Sequence, residues 1–84
     1  MYYITAKVKY NLEADYSTKY LVINTSGRGE WSPSRIDLYT LETANKLLNT
    51  MSERWCYYFL ADDCSDYRYG KIIVDSIEIK EFKG

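Results

Sequence analysis

Histidine is absent from this 84-residue chain. Its absence removes the commonest general base, the usual catalytic triads and dyads, and the commonest metal ligand. Cysteine is scarce: Cys56 and Cys64 are the only two, with no CxxC spacing. The Cys/His zinc sets are thereby excluded. Neither thiol is placed for nucleophilic work. Burial would raise the pKa of Cys56 in its apolar run, and the carboxylates around Cys64 disfavour a thiolate. A disulfide between them would close a short loop if they face each other across a hairpin. With no signal-peptide pattern at the N-terminus, the pair reads more readily as reduced and cytosolic. Pro33 is the sole proline and belongs outside any central strand. No apolar run approaches the length of a membrane span. With a formal net charge of −1, the chain has no global basic field for holding nucleic acid.

What is present fits one small globular domain, residues 1–84, with a thin core. The stretch Thr40 to Trp55 carries the sole sustained helical period. Leu41, Ala44, Leu48, Met51 and Trp55 recur at steps of three and four, and Leu47 widens the stripe. This predicts a helix over about 41–55, with Thr40 as N-cap and Glu42 at the positive end of the dipole. A one-faced helix needs a sheet to receive it. Tyr2 to Leu12 alternates strictly, placing Tyr2, Ile4, Ala6, Val8, Tyr10 and Leu12 on one face. Lys19 to Thr25 reads as a more central second strand, because Tyr20 to Ile23 is apolar without alternation. Ser26 to Glu30 reads as a turn. Ser34 to Tyr39 reads as a third strand with Ile36 and Leu38 facing inward. Trp55 to Leu60 reads as a buried strand, Ala61 to Asp66 as an acidic turn, and Tyr67 to Phe82 as the last strand region. In that region Ile72 and Val74 share one parity and Ile77 and Ile79 the other, which predicts a bulge or break at Asp75–Ser76. The expected fold class is α+β: an antiparallel sheet of four to six strands with one amphipathic helix packed on one face. The helix is expected to meet Ile4, Val8, Leu21 or Ile23, Ile36, Phe59 and Ile77 or Ile79.

Candidate binding residues follow from chemistry and loop position. Tyrosine is abundant, ten of 84, and excess Tyr suits a contact surface, although strands favour aromatics in any case. Arg28 and Trp31, on a loop expected to be exposed, are the residue types that form interface hot spots. The loop Ser26-Gly27-Arg28-Gly29 does not match a phosphate-binding P-loop. Asp62, Asp63 and Asp66 lack the spacing, the Gly and the bidentate Glu of an EF-hand. They read as a solvated turn that can present a negative patch, with Tyr67 beside it. The expected partner-binding set is therefore Arg28, Trp31, Asp62, Asp63, Asp66 and Tyr67, with no catalytic residue, metal or cofactor. The alternative is a nucleic-acid-binding accessory protein that stacks bases on a sheet face carrying Tyr3, Lys7 and Lys9. Dispersed basic residues and the lack of an aromatic RNP-type motif count against it.

The order strand–strand–strand, a helix opened by Leu-Tyr-Thr-Leu-Glu-Thr-Ala, and a final Ile-Ile-Val-Asp-Ser-Ile-Glu-Ile-Lys resembles the small accessory proteins encoded by bacteriophages and prophages. The resemblance is one of layout over most of the chain and carries no residue roles. It implies a stoichiometric inhibitor of a bacterial host or defence protein, as anti-CRISPR proteins are, acting in the bacterial host cytoplasm. The expected partner is a bacterial protein, a nucleic-acid-handling enzyme among the candidates. The chain itself is expected to be a monomer or homodimer.

Overall fold

The computed structural model describes residues 1–10, 12–23, 25, 29–51 and 70–84. They form an α+β fold. Its elements are β1 (Tyr2–Lys9), β2 (Ser17–Ile23), β3 (Gly29–Ser32), α1 (Leu41–Met51) and β4 (Lys71–Glu81). The four strands make one antiparallel sheet in the order β3-β2-β1-β4. Cross-strand partners share a face of the sheet. One face therefore carries Ile4 opposite Ile79, Val8 opposite Ile72, Ala6 opposite Lys19, and Leu21 opposite Trp31. Ile4, Ala6, Val8, Leu21, Trp31 and Ile72 form the buried core with Ala44 of α1. The alternation of β1 decides which face receives the helix.

Helix α1 starts where its cap predicts. The Thr43 amide donates to Thr40 Oγ1 at 3.2 Å, and the Ala44 amide donates to the Thr40 carbonyl at 2.9 Å. Ala44 is fully buried, since a small side chain lets the helix axis approach the sheet closely, and Leu47 and Leu48 pack beside it. Leu41 was expected on the buried stripe but stays exposed, because the sheet is met by the middle of the helix rather than by its first turn. The expected continuation to Trp55 and the strand at Trp55–Leu60 lie outside the described residues.

Two expectations about β1 and β4 resolve differently. The first strand ends at Lys9, not Leu12. The Glu13 amide donates to the Tyr10 carbonyl, and the Glu13 carboxylate accepts from the Tyr10 amide at 2.8 Å. This reciprocal closure turns the chain out of the ladder and leaves Leu12 in solvent. In β4 the expected break is present. Thr5 faces Glu78 while Lys7 faces Ile73, so two steps along β1 correspond to five along β4. Three extra residues reverse side-chain parity, which is how Ile72 and Ile79 both reach the core face. Ser76 holds the irregularity: its hydroxyl accepts from the Lys7 amide at 2.8 Å and donates to the Ile73 carbonyl at 2.6 Å. Just before β4, Gly70 has φ of +112°, and a Cβ there would sit 2.2 Å from the Lys9 carbonyl oxygen. Only glycine fits that close approach without strain.

The third strand is also displaced from its expected place. Gly29 and Glu30, read as turn, belong to β3, and residues 34–39 form no strand beyond a single bridge between Tyr39 and Tyr2. Ile36 and Leu38 are 40% and 38% exposed rather than facing inward. The cause is the way β1 and β2 part company. Their pairing runs from Val8 to Thr5, and at Tyr2 the backbone instead exchanges two hydrogen bonds with Tyr39, of 2.8 and 2.7 Å.

Candidate functional site

Three arrangements of polar and exposed groups stand out among the described residues. The first fills the fork between β1 and β2. There the Ile23 amide donates to Asp37 Oδ2 at 3.1 Å, and its carbonyl accepts from the Arg35 guanidinium at 3.2 Å. Arg35 and Asp37 hold each other through two further bonds of 2.9 Å. The Tyr39 hydroxyl donates to the Leu21 carbonyl at 2.9 Å. Side chains here satisfy backbone groups that a neighbouring strand would otherwise take. The guanidinium holds the Asp37 carboxyl below its usual range, and burial pushes the Tyr39 hydroxyl up to about 12. The segment is thus pinned by Arg35, Asp37 and Tyr39, with the Arg35 side chain itself 58% exposed. The intervening Ile36 and Leu38, with Leu41 just beyond, point to solvent.

The second arrangement surrounds Lys19, which lies on the core face opposite Ala6 and is 1% exposed. Its ammonium is paired with Glu13 at 2.8 Å and donates to Ser17 Oγ at 2.7 Å and to the Val8 carbonyl at 3.3 Å. It also lies 5.2 Å from the centre of the Tyr10 ring. The Tyr10 hydroxyl donates to the Trp31 carbonyl. Hydrogen bonds from Lys19 and the Tyr10 amide lower the Glu13 pKa, and burial pushes Tyr10 up to about 12. Every donor position of the lysine is used, so this cluster is a structural bracket between the β1–β2 turn and the core rather than a reactive amine.

The third is the sheet face opposite α1. Tyr3 lies between Tyr20 and Phe82, with ring centres 5.9 and 6.4 Å apart, making a row of rings across β2, β1 and β4. Further along the same face, Lys7 opposes Thr18 and Ile73, and Lys9 directly opposes Lys71. Lys7 Nζ donates to Thr18 Oγ1 at 2.7 Å.

Against the expected partner-binding set, the structure corrects one residue. Trp31 is not on an exposed loop. It sits in β3 opposite Leu21, 2% exposed and part of the core. Its nearness to Gly29 and Pro33 suggested a loop, but its parity with Leu21 was the better signal. Arg28, Asp62, Asp63, Asp66 and Tyr67 lie outside the described residues, as do Cys56 and Cys64. Sequence reasoning missed the outward role of Ile36 and Leu38 and the meeting of Lys9 with Lys71. Among the described residues there is no group of three or more Cys, Asp or Glu side chains placed to hold a metal ion. No described helix is long and apolar enough to cross a membrane. Compared with known proteins, the chain matches no family model, no curated protein and no solved structure.

Proposed function

We propose that this protein is a non-enzymatic binding module that docks a protein partner through the pinned segment Ser34–Leu41. One observation carries the reading: a segment whose backbone and polar side chains are fastened to the sheet nevertheless presents Ile36, Leu38 and Leu41 to water. Holding apolar groups outward in one conformation means that the ordering cost of binding is already met by the fold. Adjacent exposed apolar side chains of this kind suit a hydrophobic slot on another protein. The resemblance of the sequence to phage accessory proteins makes a bacterial host or defence protein the first partner class to test, with stoichiometric inhibition as the outcome of docking.

The test is capture of tagged protein from nuclease-treated bacterial lysate, comparing wild type with Ile36→Glu/Leu38→Glu. Ile36 and Leu38 are 40% and 38% exposed, and a variant that keeps the wild-type melting temperature shows that lost capture is not unfolding. A discrete protein retained by wild type in a fixed ratio, and lost with the variant, supports the reading. Equal capture by both chains overturns it. So does a homodimer in light scattering that the variant dissolves, which would assign the segment to self-association.

A further inference from the structure

From the opposite sheet face we infer a second site, one that takes a short single strand of nucleic acid, with Tyr3, Tyr20 and Phe82 stacking bases and Lys7, Lys9 and Lys71 holding phosphates. The argument begins with a cost. Lys9 and Lys71 are direct cross-strand partners on the face away from the core, and like charges directly opposite each other destabilise a strand pair. Neither forms a salt bridge with a described residue. Lys7, two residues along β1, brings a third cation to the same end of the face. An anion lying across β1 and β4 would relieve this repulsion. The phosphates of a polynucleotide supply such charge at regular spacing.

The rings identify the rest of the ligand. Tyr3 and Tyr20 are half-buried and Phe82 is 40% exposed, so the row presents ring surface to solvent while being held by its own contacts. Tyr3 and Lys9 are six residues apart on one extended strand, roughly 20 Å. That length suits about four nucleotides, the low end of single-domain site sizes. A sheet face with rings at one end and ammonium groups at the other, with the Glu78 carboxylate opposite Thr5 between them, fits unpaired bases. A duplex hides its bases from such a surface. Free phosphate would satisfy the lysines but leave the rings without a role. With an overall charge of −1, no global field adds to this patch, so affinity should be modest and sensitive to salt.

The experiment is a fluorescence-anisotropy titration of the full chain against labelled dT12, at 50 and 200 mM NaCl. Three neutralised phosphates predict a slope of log affinity on log salt of about −2, hence about 20-fold weaker binding at the higher salt. A duplex 12-mer and tripolyphosphate as competitors should displace the strand poorly. Tyr3→Ala should weaken binding about 5- to 150-fold at both salt concentrations. Because Tyr3 is half-buried, the decisive variant is Lys71→Glu. It replaces a repulsion by an attraction, so it should raise the melting temperature while abolishing binding. Binding that survives Lys71→Glu, competition by tripolyphosphate as effective as by dT12, preference for duplex, or no binding at 50 mM salt would each overturn the inference.

Discussion

Replacing Lys19 separates what its charge does from what its stem does. The side chain is 1% exposed and lies on the core face opposite Ala6. Lys19→Ala removes most of a four-carbon stem from the core. At about 0.8 kcal/mol per buried methylene, that predicts a loss of roughly 2–3 kcal/mol, a large share of a small domain's stability. Lys19→Met keeps most of the stem and removes the ammonium. The lost pairing with Glu13 is then offset by the ammonium no longer having to leave water, and the Glu13 carboxylate, 38% exposed, is left in contact with solvent rather than buried unpaired. Lys19→Met is therefore expected to stay within about 1 kcal/mol of wild type. Glu13→Gln should do more harm beside Lys19, where it strands a buried cation, than beside Met at the same position. The assay is urea unfolding followed by tryptophan fluorescence, which reports the core through Trp31. If Lys19→Met falls as far as Lys19→Ala, the charge itself holds the fold and the argument fails. If Glu13→Gln costs the same in both backgrounds, to within about 0.5 kcal/mol, the two residues are not coupled.

Two further outcomes can be checked on the purified chain. Ser76→Ala strips the acceptor from the Lys7 amide and the donor from the Ile73 carbonyl, and should cost about 1–3 kcal/mol with fast hydrogen exchange at Lys7; a protected Lys7 amide in that variant would exclude the bridging role of Ser76. Tyr10 and Tyr39 both have pKa values of about 12 against 10.0 in an unfolded chain. The fold favours their neutral form, so the stability they contribute is complete below pH 10 and is lost as pH rises from 10 towards 12. Phenolate absorbance should therefore show late-titrating tyrosines, one fewer in Tyr10→Phe and one fewer in Tyr39→Phe; unchanged late titration in either would refute its assignment.

The proposed binding surfaces are less legible than the fold, and the reason is which kind of information each needs. Alternation in Tyr2–Lys9 and the helical period from Leu41 specify strand, helix and core face from local spacing, because side-chain direction follows backbone geometry. The parity change between Ile72 and Ile79 likewise forecast the irregularity in β4, since only an odd insertion returns both to one face. Thr40 announced the helix start through its own hydroxyl. By contrast, Ser34–Tyr39 reads as a strand because Ile36 and Leu38 alternate with Arg35 and Asp37. That pattern is the same whether the apolar or the polar side chains face inward. Only the fork between β1 and β2, with the bare amide and carbonyl of Ile23 inside it, draws Asp37 inward and anchors Arg35, which stays 58% exposed. In sequence the lysines are dispersed, with Lys9 and Lys71 far apart, and the β1–β4 register alone makes them neighbours. Local spacing thus determined the elements and the core face they build. Contacts distant in sequence decided which residues water sees, because exposure depends on where the neighbouring strands end.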